Sequence, residues 1–60
     1  MATKYIGKRI EYKVYDQLYT GLVYRDNQMS DIFEVSRDVR IGERDVTDYI
    51  KDSDVIRQLN

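Results

Sequence analysis

A chain of sixty residues with neither cysteine nor histidine has to hold itself together by packing alone. No disulfide can brace it, and the usual zinc ligands are missing. A chain of this length buries only about 60% of the surface that its unfolded form exposes, so its stability is marginal. Stability must come from one compact core or from a partner subunit. The expectation is one small domain spanning residues 1–60.

The apolar residues say what kind of core that is. Six Ile, six Val and three Thr are β-branched, and six Tyr and one Phe supply the aromatics, against three Leu and one Ala. Branched and aromatic side chains suit a pleated, half-buried surface, whereas Leu and Ala favour helices. The fold class read from composition is mostly β.

The order of residues agrees. Over 9–15, Ile10, Tyr12 and Val14 alternate with Arg9, Glu11, Lys13 and Tyr15, the period of a strand with one buried face. Asp16 and Gln17 read as a tight turn. Residues 18–25 form a second strand with apolar groups on both faces: Leu18, Leu22 and Tyr24 on one, Tyr19 and Val23 on the other. Gly21 sits in its middle, where a glycine marks a bulge, a sharp bend or a close backbone approach. A bend there lets a long strand curl as a small barrel requires.

After the polar turn from Asp26 to Asp31, residues 32–36 make a third strand with Phe33 and Val35 inward and Glu34 outward. Residues 38–42 alternate again through Val39 and Ile41, and Gly42 reads as a turn. The C-terminal stretch supports two arrangements. Val46, Tyr49, Ile50, Ser53, Ile56 and Leu59 recur at helical spacing, with Asp45 and Asp48 placed to serve the helix N-terminus. The branched Val46, Thr47, Ile50, Val55 and Ile56 instead favour strand 45–50, a polar turn at Lys51–Asp54 and a short last strand from Val55.

The segments "YIGKRIEYKV", "YTGLVY", "IFEV" and "YIKDSDVI" together resemble a small SH3-like barrel. In such barrels a strand opens after a glycine (here Gly7), a second carries a Gly-x-Val step (Gly21, Val23), and a short polar turn precedes the closing strand (Lys51–Asp54). In size and style the chain is also similar to short accessory proteins of Gram-positive phages and prophages. The resemblance implies a five-stranded SH3-like barrel. The residues alone leave open a three- or four-stranded antiparallel sheet with a C-terminal helix. With no Trp and no Pro, the groove of a peptide-binding SH3 domain does not carry over, and no functional residue is mapped from the family.

Catalytic chemistry finds little support. General acid–base catalysis most often uses His, and nucleophilic triads need Cys or His, which are both missing. There is no glycine-rich phosphate loop. The Asp52–Asp54 and Asp26–Asp31 clusters read as solvated turns. An EF-hand starting at Asp26 would need Glu at its twelfth position, where Arg37 stands. No enzyme activity, metal or cofactor is expected.

Net charge is −1, but residues 1–25 carry +3 and residues 26–60 carry −4. A near-neutral total argues against a nonspecific polyanion binder and leaves room for a local basic patch. Tyr15 and Tyr19 flank the first turn, with Lys8, Arg9, Lys13 and Arg25 nearby. Exposed Tyr beside Arg is enriched at protein interfaces and also stacks on bases. Those six residues are the candidate partner-binding set. An unidentified protein partner is the leading expectation, with host machinery as the kind of target that the phage resemblance implies. Nucleic acid bound by the basic, tyrosine-bearing first hairpin is the alternative, as is a self-associating structural piece. The expected state is a monomer or weak homo-oligomer. No apolar run approaches the roughly 20 residues of a membrane span, and no signal peptide is visible, so the expected location is the cytoplasm.

Overall fold

A computed structural model of the chain describes residues 3–27 and 30–59. It contains five antiparallel strands: β1 Arg9–Val14, β2 Gln17–Asp26, β3 Ile32–Arg37, β4 Thr47–Lys51 and β5 Val55–Gln58. They form one open sheet in the order β4-β3-β2-β1-β5. A 3₁₀ turn, Asp52–Asp54, links β4 to β5.

That link sets the shape of the sheet. β4 and β5 are its opposite edges, which in a flat sheet of this size would lie roughly 19 Å apart. The four steps from Lys51 to Val55 reach at most about 15 Å fully extended, and a 3₁₀ path covers only about 8 Å. The sheet therefore curls until its edges approach. Its concave face holds the core of Ile10, Tyr12, Val23, Phe33, Val35 and Ile50, with Tyr5, Val14, Tyr19 and Val55 packed against it. The tilted Tyr5 and Phe33 rings lie 6.5 Å apart between centroids.

Two features of β2 permit the curl. Gly21 is a close-approach glycine. A Cβ placed there would lie 2.4 Å from the Ser36 carbonyl oxygen and 2.8 Å from Val35 Cγ1. The bulge is elsewhere, at Tyr24, where pairing steps from Val23↔Val35 to Arg25↔Glu34. It turns Asp26 toward the concave side, where its carboxylate accepts the Thr3 N–H at 2.7 Å. Thr3 Oγ1 in turn donates to Asp52 at 2.6 Å, so the N-terminal arm ties the end of β2 to the 3₁₀ turn.

Three expectations need correction. There is no C-terminal helix among the described residues; the strand–turn–strand arrangement is the one formed. The helical spacing put Tyr49 on the apolar stripe and Asp48 at the helix N-terminus, but β4 sends Asp48 inward and Tyr49 out. Asp54 accepts the Lys51 N–H at 3.1 Å and stabilises the turn that a helix would have run through. Residues 38–42 are not a strand. Asp38 N–H donates to the Thr20 carbonyl at 2.8 Å, and the Asp38 carboxylate accepts from Arg9 and Thr20, which ends β3. The chain then turns at Arg40–Glu43 with Gly42 at φ +91°, where a type II turn calls for glycine, and Ile41 is wholly exposed. Finally, the first hairpin turns at Tyr15–Asp16, since Val14 pairs with Gln17.

Gly21→Ala is expected to cost about 2–3 kcal/mol, because the methyl meets backbone that cannot move without disturbing the β2–β3 ladder. A lowered midpoint in urea unfolding checks it; an unchanged midpoint would refute the close approach.

Candidate functional site

The first hairpin extends beyond the sheet that supports it. β5 reaches β1 only as far as Tyr12↔Val55, and β3 pairs with β2 only from Gly21↔Arg37 onward. Lys13–Leu18 therefore pair with nothing but each other, as a two-stranded ribbon. At its tip Tyr15 is 94% exposed and adopts φ +54°. An aromatic residue at positive φ is an outlier whose backbone costs about 1–2 kcal/mol. Leu18 is also exposed, at 58%.

The ribbon stands on a rigid root. Tyr12 pairs with Tyr19 at its base, their ring centroids 6.2 Å apart. The Tyr12 hydroxyl donates to Asp48 Oδ2 from across the curl, β1 to β4. Arg37 on β3 grips the same carboxylate with Nε and Nη2, both at 2.8 Å. The guanidinium lies 3.7 Å from the Tyr19 ring centroid, a cation–π contact. Burial alone would push the Asp48 pKa up, but hydrogen bonds from Arg37 and Tyr12 and the Arg37 charge prevail and hold it below the usual carboxylate range. Burial, then the neighbouring carboxylate, push the Tyr12 hydroxyl well above its ordinary value. The hydrogen bonds to Asp48 raise Arg37 further. Every buried polar side-chain atom of the group has a partner, so it acts as a fastening between β1, β3 and β4.

The six sequence-derived residues do not gather into one patch. Tyr15 and Lys13 lie on the ribbon, and Lys13 is 3.9 Å from Asp16. Arg9 is ion-paired with Asp38. Tyr19 turns inward to Tyr12 and Arg37. Lys8 precedes β1, its carbonyl accepting the Val23 N–H at 3.0 Å. Arg25 lies seven residues beyond Leu18, the residue opposite Lys13, or about 23 Å along β2. It faces Glu34 at 3.9 Å. With Asp26 and Asn27, this pair lines a shallow recess of about 360 Å³. Three of the four proposed cations thus carry a carboxylate within 4 Å.

What the sequence did not single out is the convex face. Leu18, Leu22 and Tyr24 of β2, Ile32 of β3 and Tyr49 of β4 all point outward and are exposed. The Tyr24 hydroxyl reaches Glu34 and Thr47 at 3.1 and 3.2 Å, spanning β2 to β4 on that side. The sequence showed two apolar faces on β2 but not which would be covered. No group of His, Cys, Asp or Glu suited to a metal is found among the described residues. Nor is any helix among them long and apolar enough to cross a membrane. No family model, curated protein or solved structure matches this chain.

Two outcomes are expected. Because the folded Asp48 pKa is depressed, its contribution is complete above the ordinary value near 3.8 and is lost as pH falls through the folded value. Acid unfolding should therefore steepen below about pH 4. Asp48→Asn should flatten that dependence, while Asp48→Ala, which strands Arg37, should cost about 3–5 kcal/mol. Separately, Tyr15→Gly should raise stability by about 1 kcal/mol in urea unfolding, by relieving the positive φ.

Proposed function

We propose that this chain is a nonenzymatic binding module that docks on a protein through the β1–β2 ribbon. The observation that carries the reading is Tyr15: an aromatic ring held in full solvent at the first position of a two-residue hairpin turn, which needs positive φ and which glycine or asparagine fills at lower cost. Strain of this kind clusters where a residue meets something outside, and Tyr is enriched among interface anchors. Leu18 supplies a second apolar contact, and Lys13 with Asp16 gives a rim of mixed charge. A protein surface with an apolar pocket for a Tyr ring fits this tip.

Nucleic acid fits it less well. Phosphate binding needs cations free to displace counterions, whereas Arg9, Lys13 and Arg25 each stand beside a carboxylate. For the fold, the strand order β4-β3-β2-β1-β5 and the 3₁₀ turn before β5 support an SH3-like barrel. The phage or prophage accessory role, acting on host machinery in the cytoplasm, rests on the likeness of size and style.

The test replaces Tyr15, and in a parallel protein Ile56, with a photo-crosslinking phenylalanine analogue. On irradiation in source-cell extract, position 15 is expected to trap a discrete protein in a nuclease-insensitive band that position 56 does not. Identical patterns at both positions, or a band abolished by nuclease, would overturn the reading. Retention on DNA or RNA at 50 mM salt that weakens steeply as salt rises would favour the nucleic-acid alternative.

A further inference from the structure

One residue breaks the alternation of β2, and it does so beside a carboxylate. Val23 faces the core and Tyr24 faces out, so strict alternation would turn Arg25 in. The bulge at Tyr24 prevents this. Arg25 also points out and pairs with Glu34, while Asp26 turns in opposite Phe33. Bulges re-aim side chains and are over-represented next to functional sites. Here two consecutive β2 side chains, Tyr24 and Arg25, are set against one residue of β3.

That residue, Glu34, is flanked by two exposed rings. On the β2 side the Tyr24 hydroxyl donates to its Oε1 at 3.1 Å and meets Thr47 Oγ1 at 3.2 Å. On the β4 side Tyr49 stands directly across from it. Tyr24 and Tyr49 are 47% and 68% exposed, whereas the Glu34 side chain is only 22% exposed. Arg25 Nε lies 3.9 Å from Glu34 Oε2, too far for a hydrogen bond. The Arg25 side chain is 72% exposed, and an ion pair of that kind holds weakly. Two other tyrosine rings are covered by the chain's own cations: Lys4 lies over Tyr5 and Arg37 over Tyr19. Among the described residues no cation lies over Tyr24 or Tyr49.

We propose that Tyr24, Glu34 and Tyr49 form a site for an arginine side chain of a partner protein. The face of an aromatic ring is negative, so two rings beside a carboxylate attract a cation. Oε2 has no hydrogen bond from Arg25, so it selects a cation that can donate one, which a quaternary ammonium cannot. Between the two side chains that donate, a guanidinium is planar, stacks on aromatic faces and is more weakly hydrated than an ammonium, so it sheds water more readily at a half-buried carboxylate. Thr47 Oγ1, beside the Tyr24 hydroxyl, offers its fork a second acceptor. Arg25 is the internal competitor, and its loose contact with Glu34 is what the incoming side chain displaces. No residue of the Lys13–Leu18 ribbon takes part, so this site stands or falls apart from the docking of the ribbon.

The test titrates a capped Gly-Arg-Gly peptide into the ¹⁵N-labelled chain at neutral pH and follows the backbone amides. Those of Tyr24, Glu34, Thr47 and Tyr49 are expected to shift and to saturate with a millimolar dissociation constant, as one cation contact allows. The same peptide with citrulline, which keeps the shape and loses the charge, should leave them unmoved. A lysine peptide should bind about threefold more weakly. Glu34→Gln keeps an acceptor for Tyr24 but removes the charge, and should weaken arginine binding by about tenfold. Tyr49→Ala, at an exposed position of the outermost strand, should weaken it by about threefold. Arg25→Ala removes the competitor and should tighten it by about threefold. Absence of saturating shifts at these amides, an equal response to citrulline, lysine binding as tight as arginine, affinity indifferent to Glu34→Gln, or affinity lowered by Arg25→Ala would each overturn the proposal.

Discussion

The fold depends on one carboxylate. Asp48 draws the Tyr12 hydroxyl from β1 and the Arg37 fork from β3 onto β4, joining strands that a flat sheet would keep three places apart. Such a buried pair adds little net stability over well-packed hydrophobic side chains, yet removing one partner is severe because the other charge is left without compensation. Its value here lies in direction. Apolar packing would tolerate several degrees of curl and several registers of β4 against the inner face of β1. A bidentate fork plus a hydroxyl accept only one, and every buried polar side-chain atom among the described residues has a partner.

The same curl explains why so much apolar surface stays outside. A single rolled sheet has one inner face, and every second side chain must point away from it. Six hydrophobic residues fill the interior. Adding Leu18, Leu22, Tyr24, Ile32 or Tyr49 would need a second layer that sixty residues cannot provide. Scattered exposed hydrophobics are ordinary. A convex row of them beside a fully exposed Tyr at a positive-φ position is the part of this surface that the fold itself does not need.

What the sequence disclosed follows from how local each signal is. Alternation over 9–15 named Ile10, Tyr12 and Val14 as the inward set, and Phe33 and Val35 were equally clear, because side-chain direction within one strand is a two-residue matter. Gly21 announced a constraint without its kind: the clash is with Ser36, fifteen residues on, and only pairing reveals it. Asp48 was misread for the same reason. As a helix-starting acid it needed only near neighbours, whereas its real partners lie 11 and 36 residues away. At 38–42 alternation existed without a partner strand, and alternation alone does not make a sheet. The candidate site fared similarly. Tyr15 was legible as an exposed ring near a turn, but the carboxylates that neutralise Arg9 and Arg25 come from β3 and the loop after it, beyond any sequence window.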